Sequence, residues 1–326
     1  MSTKTYANAI RDCIAEEMRR DNRVFVMGED VAEQGGIFGC TKGLIDEFGK
    51  ERIRNSPISE AGLVGLGVGA ACAGQRPIVE LMYMDFTYCA MDQILNQAAK
   101  TRYVFGGIPV LPLVIRGQQG IGRGNAATHS QSVETIFMHI PGLKVICPSN
   151  GADAAGLLRT AIRDDNPIMF FEHKALYSVK FDVPDDPNYM VPFGKANIVR
   201  EGTDVTIVAT LLFVSRAIEA AAELEKIGIS AEVIDPRTLV PLDIDTVITS
   251  VKKTGRLVVA HEAHKTAGWG AELASQVVEG AFKYLDAAPI RLGSKACPLP
   301  FNLALESAVV PSVKDIIDAA KAVCYK

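Results

Sequence analysis

Apolar side chains recur at Ala7, Ile10, Ile14 and Met18, so residues 5–20 are predicted to form a helix with one buried face. The run Val24-Phe25-Val26-Met27 is short, wholly apolar and stopped by Gly28, which predicts a buried strand. Helical patterns follow near 41–50 and 60–74, then a strand over Pro77–Met82 and a long helix through 87–105. Strands at 112–116, 143–147 and 167–171 alternate with helical segments near 131–139 and 151–164. Such alternation predicts a parallel sheet covered by helices on both faces. Residues 181–195 hold three prolines and three aspartates, follow neither period and read as a linker. A second α/β set comes after it, with strands at 204–210, 230–235, 256–261 and 289–292 and helices at 213–227, 268–284 and 312–324. The expected fold is therefore α/β in two domains, 1–180 and 196–326, each a mostly parallel sheet flanked by helices.

A chain of 326 residues accommodates two cores, and its apolar and charged fractions are those of a folded globular protein. The formal charge of −4, with no Lys/Arg stripe, argues against nucleic acid as a partner. The N-terminus is charged from the start and lacks the apolar core of a signal peptide. Ala61–Gln75, the longest uncharged stretch, is shorter than the roughly 17–25 residues of a membrane span and is rich in glycine. A soluble, unprocessed, cytoplasmic protein without membrane contact is expected. Seven cysteines, an odd number without a Cys-x-x-Cys pair, read as reduced thiols and not as disulfides or metal ligands.

Several familiar motifs fail their context. Gly65-Leu66-Gly67-Val68-Gly69-Ala70 suggests dinucleotide binding, but that fingerprint must follow a strand, and the polar stretch 54–60 precedes it here. Ser59 is instead placed to cap a helix starting at Glu60, on which Gly62, Gly65, Gly69 and Ala73 form a small-residue stripe for close helix packing. His261-Glu262-Ala263-His264 has the wrong spacing for a metalloprotease and reads as a turn at a strand end. Neither a P-loop nor a Gly-x-Ser-x-Gly nucleophile elbow occurs.

Three groups of strings remain. They are GED at 28–30 with TKGL at 41–44; SPISEAGLVGLGVGAACAGQRPIVELMYMDF at 56–86 running into MDQILNQAAKTRY at 91–103; and THSQS at 128–132 with HIPGLKVICPS, AIRDDNP and FEHKALY after it. In this order, and with GTDVTIVA and VIDPRTLVPLD in the second half, the whole chain resembles the β subunit of the thiamin-diphosphate-dependent 2-oxo acid dehydrogenases. The resemblance implies a transketolase-like pyrimidine-binding domain and a transketolase C-terminal-like domain. It implies as partners an α subunit, a second β subunit, and a dihydrolipoyl acyltransferase core with its lipoyl domain. Thiamin diphosphate would lie between α and β. The Gly-Asp-Gly…Asn motif that holds Mg²⁺ and the diphosphate belongs to α in this family, and no Gly-Asp-Gly occurs here.

The same resemblance assigns roles to residues. Glu60 matches the carboxyl group that exchanges a proton with ring N1′ of the cofactor; read by pattern alone, it complements a helix dipole. Phe86 matches the aromatic that stacks on the aminopyrimidine, against a plain core role. His129 matches the histidine that positions substrate or lipoyl groups, and the Gly-rich stretch before it suits a loop over a cavity, although a structural loop histidine reads the same way. Glu29 and Asp92 match acids near the cofactor, with surface or capping roles as alternatives. The carbonyls of Ala161 and Asp164, with Asn166, match a structural K⁺ site. FEHKALY, QAAKTRYVFGG and IPGLKVICPS are most similar to the acetoin branch, with pyruvate or branched-chain 2-oxo acids as alternative substrates. A non-catalytic assembly protein of the same fold is the rival reading, and the intact Glu60, Phe86 and His129 weigh against it.

Overall fold

The computed structural model describes residues 1–325, and the chain divides into two units. The first comprises Met1–Gln119 and Ile136–Phe193, the second Gly120–Thr135 and Gly194–Lys326. The linear reading kept 120–135 with the first domain. Its segregation has a physical cause in Ile121, which is buried in the second unit's core with Val205, Ile207, Phe213 and Leu299.

In the first unit the strands are β1 (Ser2–Thr5), β2 (Val24–Gly28), β3 (Ile53–Asn55), β4 (Arg76–Leu81), β5 (Val114–Gln119), β6 (Lys144–Ile146), β7 (Ile168–His173) and β8 (Lys180–Val183). The helices are α1 (Tyr6–Arg20), α2 (Leu44–Phe48), α3 (Glu60–Cys72), α4 (Thr101–Val104), α5 (Glu134–Met138), at the junction of the two units, and α6 (Gly151–Arg163). A parallel sheet runs in the order β6-β7-β5-β4-β2-β3. Its strands β2, β5 and β7 are buried along their whole length; β2 and the first four residues of β7 read as apolar runs, whereas β5 carries Arg116, Gln118 and Gln119 inside. α1 starts at Thr5, whose side chain accepts the Asn8 N–H, and packs Ile10 and Ile14 into the core.

Three expectations are corrected here. The segment 87–105 is not one helix: a 3₁₀ turn (Met84–Ala90), a π turn (Gln93–Ala98) and α4 follow one another. The first residues of the expected linker, 181–183, belong to β8, a strand paired antiparallel with β1. Ser59 occupies the N-cap position of α3, but its side chain makes no capping hydrogen bond.

In the second unit the strands are β9 (Asn197–Arg200), β10 (Val205–Ala209), β11 (Ala231–Asp235), β12 (Thr238–Val240), β13 (Leu257–His264) and β14 (Ile290–Ser294). The helices are α7 (Leu212–Glu225), α8 (Ile244–Thr254), α9 (Trp269–Ala281), α10 (Leu303–Val309) and α11 (Val313–Val323). The sheet order is β14-β13-β10-β11-β9, parallel except for β9. Both sheets are thus mostly parallel and flanked by helices, as expected. Among the described residues no helix is long and apolar enough to cross a membrane.

The His261–His264 segment is also corrected: it continues β13 through a register shift after Ala260 and is not a turn. His261 is buried, donates from Nδ1 to the Ala263 carbonyl (3.0 Å) and packs against Trp269. Burial pushes its pKa down to about 4; the Ala263 hydrogen bond opposes that shift and the charge of Arg291 adds to it. The folded value lies below the ordinary one of about 6.5, so the stability from the neutral ring is complete above that pH and is lost as pH falls toward 4. Thermal melts between pH 7 and 4.5 should therefore slope less steeply in His261→Gln than in wild type, by up to about 1.4 kcal/mol per pH unit. Equal slopes for the two proteins would refute the assignment.

Candidate active site

The C-terminal ends of adjacent parallel strands bring Glu29, Glu60 and Phe86 to one edge of the first sheet. β2 lies between β3 and β4. Glu29 is the first residue after β2, Glu60 starts the helix after β3, and Phe86 lies in the 3₁₀ turn after β4. This is the edge where open α/β sheets bind ligands. Gly28 makes the approach possible, since a Cβ there would stand 2.8 Å from the Glu80 carbonyl oxygen. The chain after Glu29 folds back: the Gly36 N–H donates to the Asp30 carbonyl (2.9 Å), Thr41 Oγ1 to the Val31 carbonyl (2.7 Å), and the Ala32 N–H to Asn55 Oδ1 (2.8 Å).

Glu29 and Glu60 are 7% and 9% exposed, respectively. Burial raises the Glu29 pKa, and the charges of Glu60 and then Asp30 raise it further. Its Oε1 is buried without a hydrogen-bond partner. The edge therefore holds a desolvated carboxyl group that resists ionisation beside a second carboxyl group, a pairing suited to holding and moving one proton. Phe86 is half-buried, with its N–H donating to the Tyr83 carbonyl (2.9 Å). α3 is held to the sheet through Gly67, where a Cβ would stand 2.7 Å from Val79 Cγ2. Gly62, Gly65 and Gly69 face the other way; Gly65 neighbours Gln93, and a Cβ at Gly69 would meet nothing within 4 Å.

The remaining expected residues lie elsewhere. Asp92 is exposed and accepts from Asn96 Nδ2 (2.8 Å). Ala161 lies in the last turn of α6, and Asp164 and Asn166 between α6 and β7, at the N-terminal edge of the sheet. Arg76 donates to the Asp164 carbonyl (3.1 Å), Arg102 to Asn166 Oδ1 (3.3 Å), and the Ala161 carbonyl accepts the Asp164 N–H (3.2 Å). Guanidinium and amide donors thus already engage these oxygens, and the K⁺ expectation gains no support from the geometry. His129 belongs to the second unit, half-buried, with Nδ1 3.0 Å from Thr128 Oγ1. Among the described residues no group of three or more His, Cys, Asp or Glu could hold a metal ion.

Residues 2–180 match the family described as transketolase, pyrimidine binding domain, and 194–316 match transketolase, C-terminal domain. A pyruvate dehydrogenase E1 component subunit beta from Rickettsia felis is 50% identical over 98% of both chains. The protein of that name from Rhizobium meliloti is 49% identical over the whole chain and 71% of its own length. The chain belongs to the β-subunit family of the 2-oxo acid dehydrogenase E1 components. An acetoin:2,6-dichlorophenolindophenol oxidoreductase subunit beta from Cupriavidus necator is 47% identical over 96% of this chain and 95% of its own, so identity does not single out the acetoin branch. A solved structure titled split gene transketolase, inactive beta4 tetramer, superposes with a TM-score of 0.78 at 23% identity over 98% of both chains, which supports the fold.

Within this β-subunit fold, sequence reasoning missed the buried charges. Arg116, on β5, donates to Glu172 on β7 through Nε and Nη2 (2.6 Å each) and to Glu80 on β4 through Nη1. Tyr177 completes the cluster with a hydrogen bond to Glu172 (2.5 Å). Glu262 and Glu306 in the second unit were missed as well. The available signal was a charged residue inside an otherwise apolar run, as in Val114-Ile115-Arg116 and Phe170-Phe171-Glu172.

Proposed function

We propose that this chain supplies the pyrimidine side of a thiamin-diphosphate site in a 2-oxo acid dehydrogenase, and that an α subunit completes it. The observation that carries the reading is the Glu29–Glu60 pair at the C-terminal edge of the sheet, in a chain about half identical to named E1 β subunits. The residues fit the cofactor's ring: Glu29 has an unpartnered oxygen, Glu60 is nearly buried at a helix start, and Phe86 offers a half-exposed aromatic face. When bound, thiamin diphosphate supplies the nucleophile and the electron sink for cleaving the bond beside a carbonyl group. Glu60 exchanges a proton with ring N1′, and Phe86 holds the ring plane. Burial and the neighbouring acids raise the Glu29 pKa, so Glu29 holds a proton more readily than a free carboxyl group would. His129 serves the later transfer of the acyl group to a lipoyl arm.

Mg²⁺ and the diphosphate fall to α, because no Gly-Asp-Gly segment exists here. Ile58, Leu66, Tyr103, Phe105 and Ile108 are exposed on the first unit, which supports a partner surface there. Residues 1–180 form the cofactor domain, and 196–326 serve contacts with a second β subunit and with the acyltransferase core. A cytoplasmic location belongs to the same reading. Pyruvate is the substrate that most of the relatives' names support, and the Cupriavidus necator relative keeps acetoin as the second reading.

Glu60→Gln should lower dye-reduction turnover of the reconstituted enzyme by about 10²–10⁴-fold or more, because an amide cannot exchange the proton. Circular dichroism and assembly should be unchanged. Activity within a few-fold of wild type would sink the assignment.

The isolated chain should bind thiamin diphosphate and Mg²⁺ far more weakly in calorimetry than the αβ assembly does, and should show no decarboxylation. Micromolar binding with turnover by the chain alone would place the diphosphate site within these residues and overturn the split-site reading. Gly69→Leu refines the test. A side chain there meets nothing in this chain, and removing a mid-helix glycine favours the helix by up to about 1 kcal/mol, so the isolated chain should keep its melting temperature. Assembly with α should weaken, as gel filtration would show.

A further inference from the structure

The segment 120–135 leaves β5 and returns to α5 as a closed loop bearing His129. Its neck is drawn together by the Gly120 N–H donating to the Gln131 carbonyl (3.1 Å). One buried carboxylate then bonds both limbs. Glu262 Oε1 accepts the Ile121 N–H of the outgoing limb (2.8 Å) and the Ser132 hydroxyl of the returning limb (2.8 Å). A second buried carboxylate holds the next residue, Glu306 Oε2 accepting the Gly122 N–H (3.0 Å). Close packing continues the attachment at Gly124, where a Cβ would stand 2.6 Å from the Phe301 carbonyl oxygen.

Elsewhere the two acids are themselves well anchored. Glu262 lies on β13, and its carbonyl accepts the Ser294 hydroxyl from β14. Glu306 lies within α10, whose first turn is capped by Asn302. The charge of Arg216, itself half-buried, acts on Glu262. Charged acceptors bond backbone N–H groups about twice as strongly as neutral ones, so these contacts suit a glycine-rich loop.

We infer that Glu262 and Glu306 are positioning residues that hold the His129 loop in its working conformation. The inference rests on the reading of His129 given above. Neither acid contacts the reacting atoms; each acts through the loop. A glycine-rich loop gains a large number of backbone states when released, and a misplacement of about 1 Å in a positioned group costs on the order of 10²-fold in rate.

The test uses the reconstituted αβ enzyme with thiamin diphosphate and a free lipoyl domain. In Glu262→Ala, hydrogen exchange at Ile121 and Gly122 should quicken about 10–100-fold, the equivalent of a lost charge-assisted hydrogen bond. Lipoyl-domain acylation should fall by about 10–100-fold while cofactor affinity holds. Glu262→Gln should recover most of both, since one amide oxygen can accept the same two bonds. Ser132→Ala removes one limb's donor without touching a buried charge, and should loosen the returning limb even if Glu262→Ala folds poorly. Unchanged exchange in Ser132→Ala and Glu262→Ala overturns the inference. Equal loss of cofactor affinity and acylation, without rescue by Gln, overturns it too, because that is the signature of a general structural role. His129→Ala separates the two ideas. If His129→Ala abolishes acylation while Glu262→Ala leaves it intact, the tether is wrong and the His129 reading stands; if neither matters, the His129 reading fails first.

Discussion

A buried guanidinium ties together the part of the first sheet on which the candidate site stands. Arg116 has no exposure, and its partners Glu80 and Glu172 reach it from the strands on either side. Burial alone would lower its pKa, but the two carboxylates outweigh burial and hold it well above the ordinary value. Such a cluster adds little stability over a well-packed apolar equivalent, but removing one member leaves an uncompensated charge worth about 3–5 kcal/mol. What it provides is direction. Apolar contacts between strands tolerate small slides; a bidentate guanidinium-carboxylate pair does not. Glu80 precedes the turn bearing Phe86, and a Cβ at Gly36 would stand 3.1 Å from its Oε1. The clamp therefore sets both the end of β4 and the fold-back loop that follows Glu29.

Three catalytic candidates separated by up to 57 residues meet because parallel strands all end at one edge. An antiparallel meander would send alternate strand ends to opposite sides. Here β2, β3 and β4 are neighbours and parallel, so short exits from each deliver one side chain to the same place. Helix α3 fixes the second of these side chains. Its residue Gly67 lets the helix lie directly on Val79 of β4, and the position of Glu60 at the first turn follows from that contact. The glycines on the other face of α3 are not needed by this packing, which is why that face is open.

Much of the architecture was legible because strands buried on both faces carry apolar runs, as residues 24–27 do in β2, and Gly or Pro brackets them. Where burial is partial the pattern fades. β9 has the sequence Asn197-Ile198-Val199-Arg200 with no wholly buried residue, and it was not predicted. α8 begins with Ile244-Asp245-Thr246 and carries two adjacent lysines, so its one buried face of Val247, Ser250, Val251 and Thr254 is half polar. The 87–105 region has helical composition throughout, but composition does not fix whether hydrogen bonds span three, four or five residues. For the candidate site, Glu60, Phe86 and His129 were singled out through resemblance alone, since a helix-starting Glu or a half-buried Phe carries no chemical signature. The acids holding the His129 loop were illegible for another reason. Glu262 lies 141 residues from Ile121, and Glu306 lies 184 from Gly122, so only the fold reveals either contact.

The buried carboxylates differ in how their charge is met, and that difference separates support from chemistry. Glu80 and Glu172 share a guanidinium, and Glu172 takes a tyrosine hydroxyl as well. Glu262 receives an N–H and a hydroxyl on one oxygen and lies within the field of Arg216. These are acids whose oxygens already meet donors within the fold. Glu29 has the opposite surroundings. Its buried Oε1 has no partner, and the groups whose charges act on it are the acids Glu60 and Asp30. No folding requirement explains burying a carboxyl group against two others, because an amide or an apolar residue would fit with less cost. A group that meets both a desolvated acid and its neighbour, and that takes or returns a proton there, removes the penalty. Glu29 is therefore the carboxyl group of the first unit whose surroundings suit binding chemistry better than support.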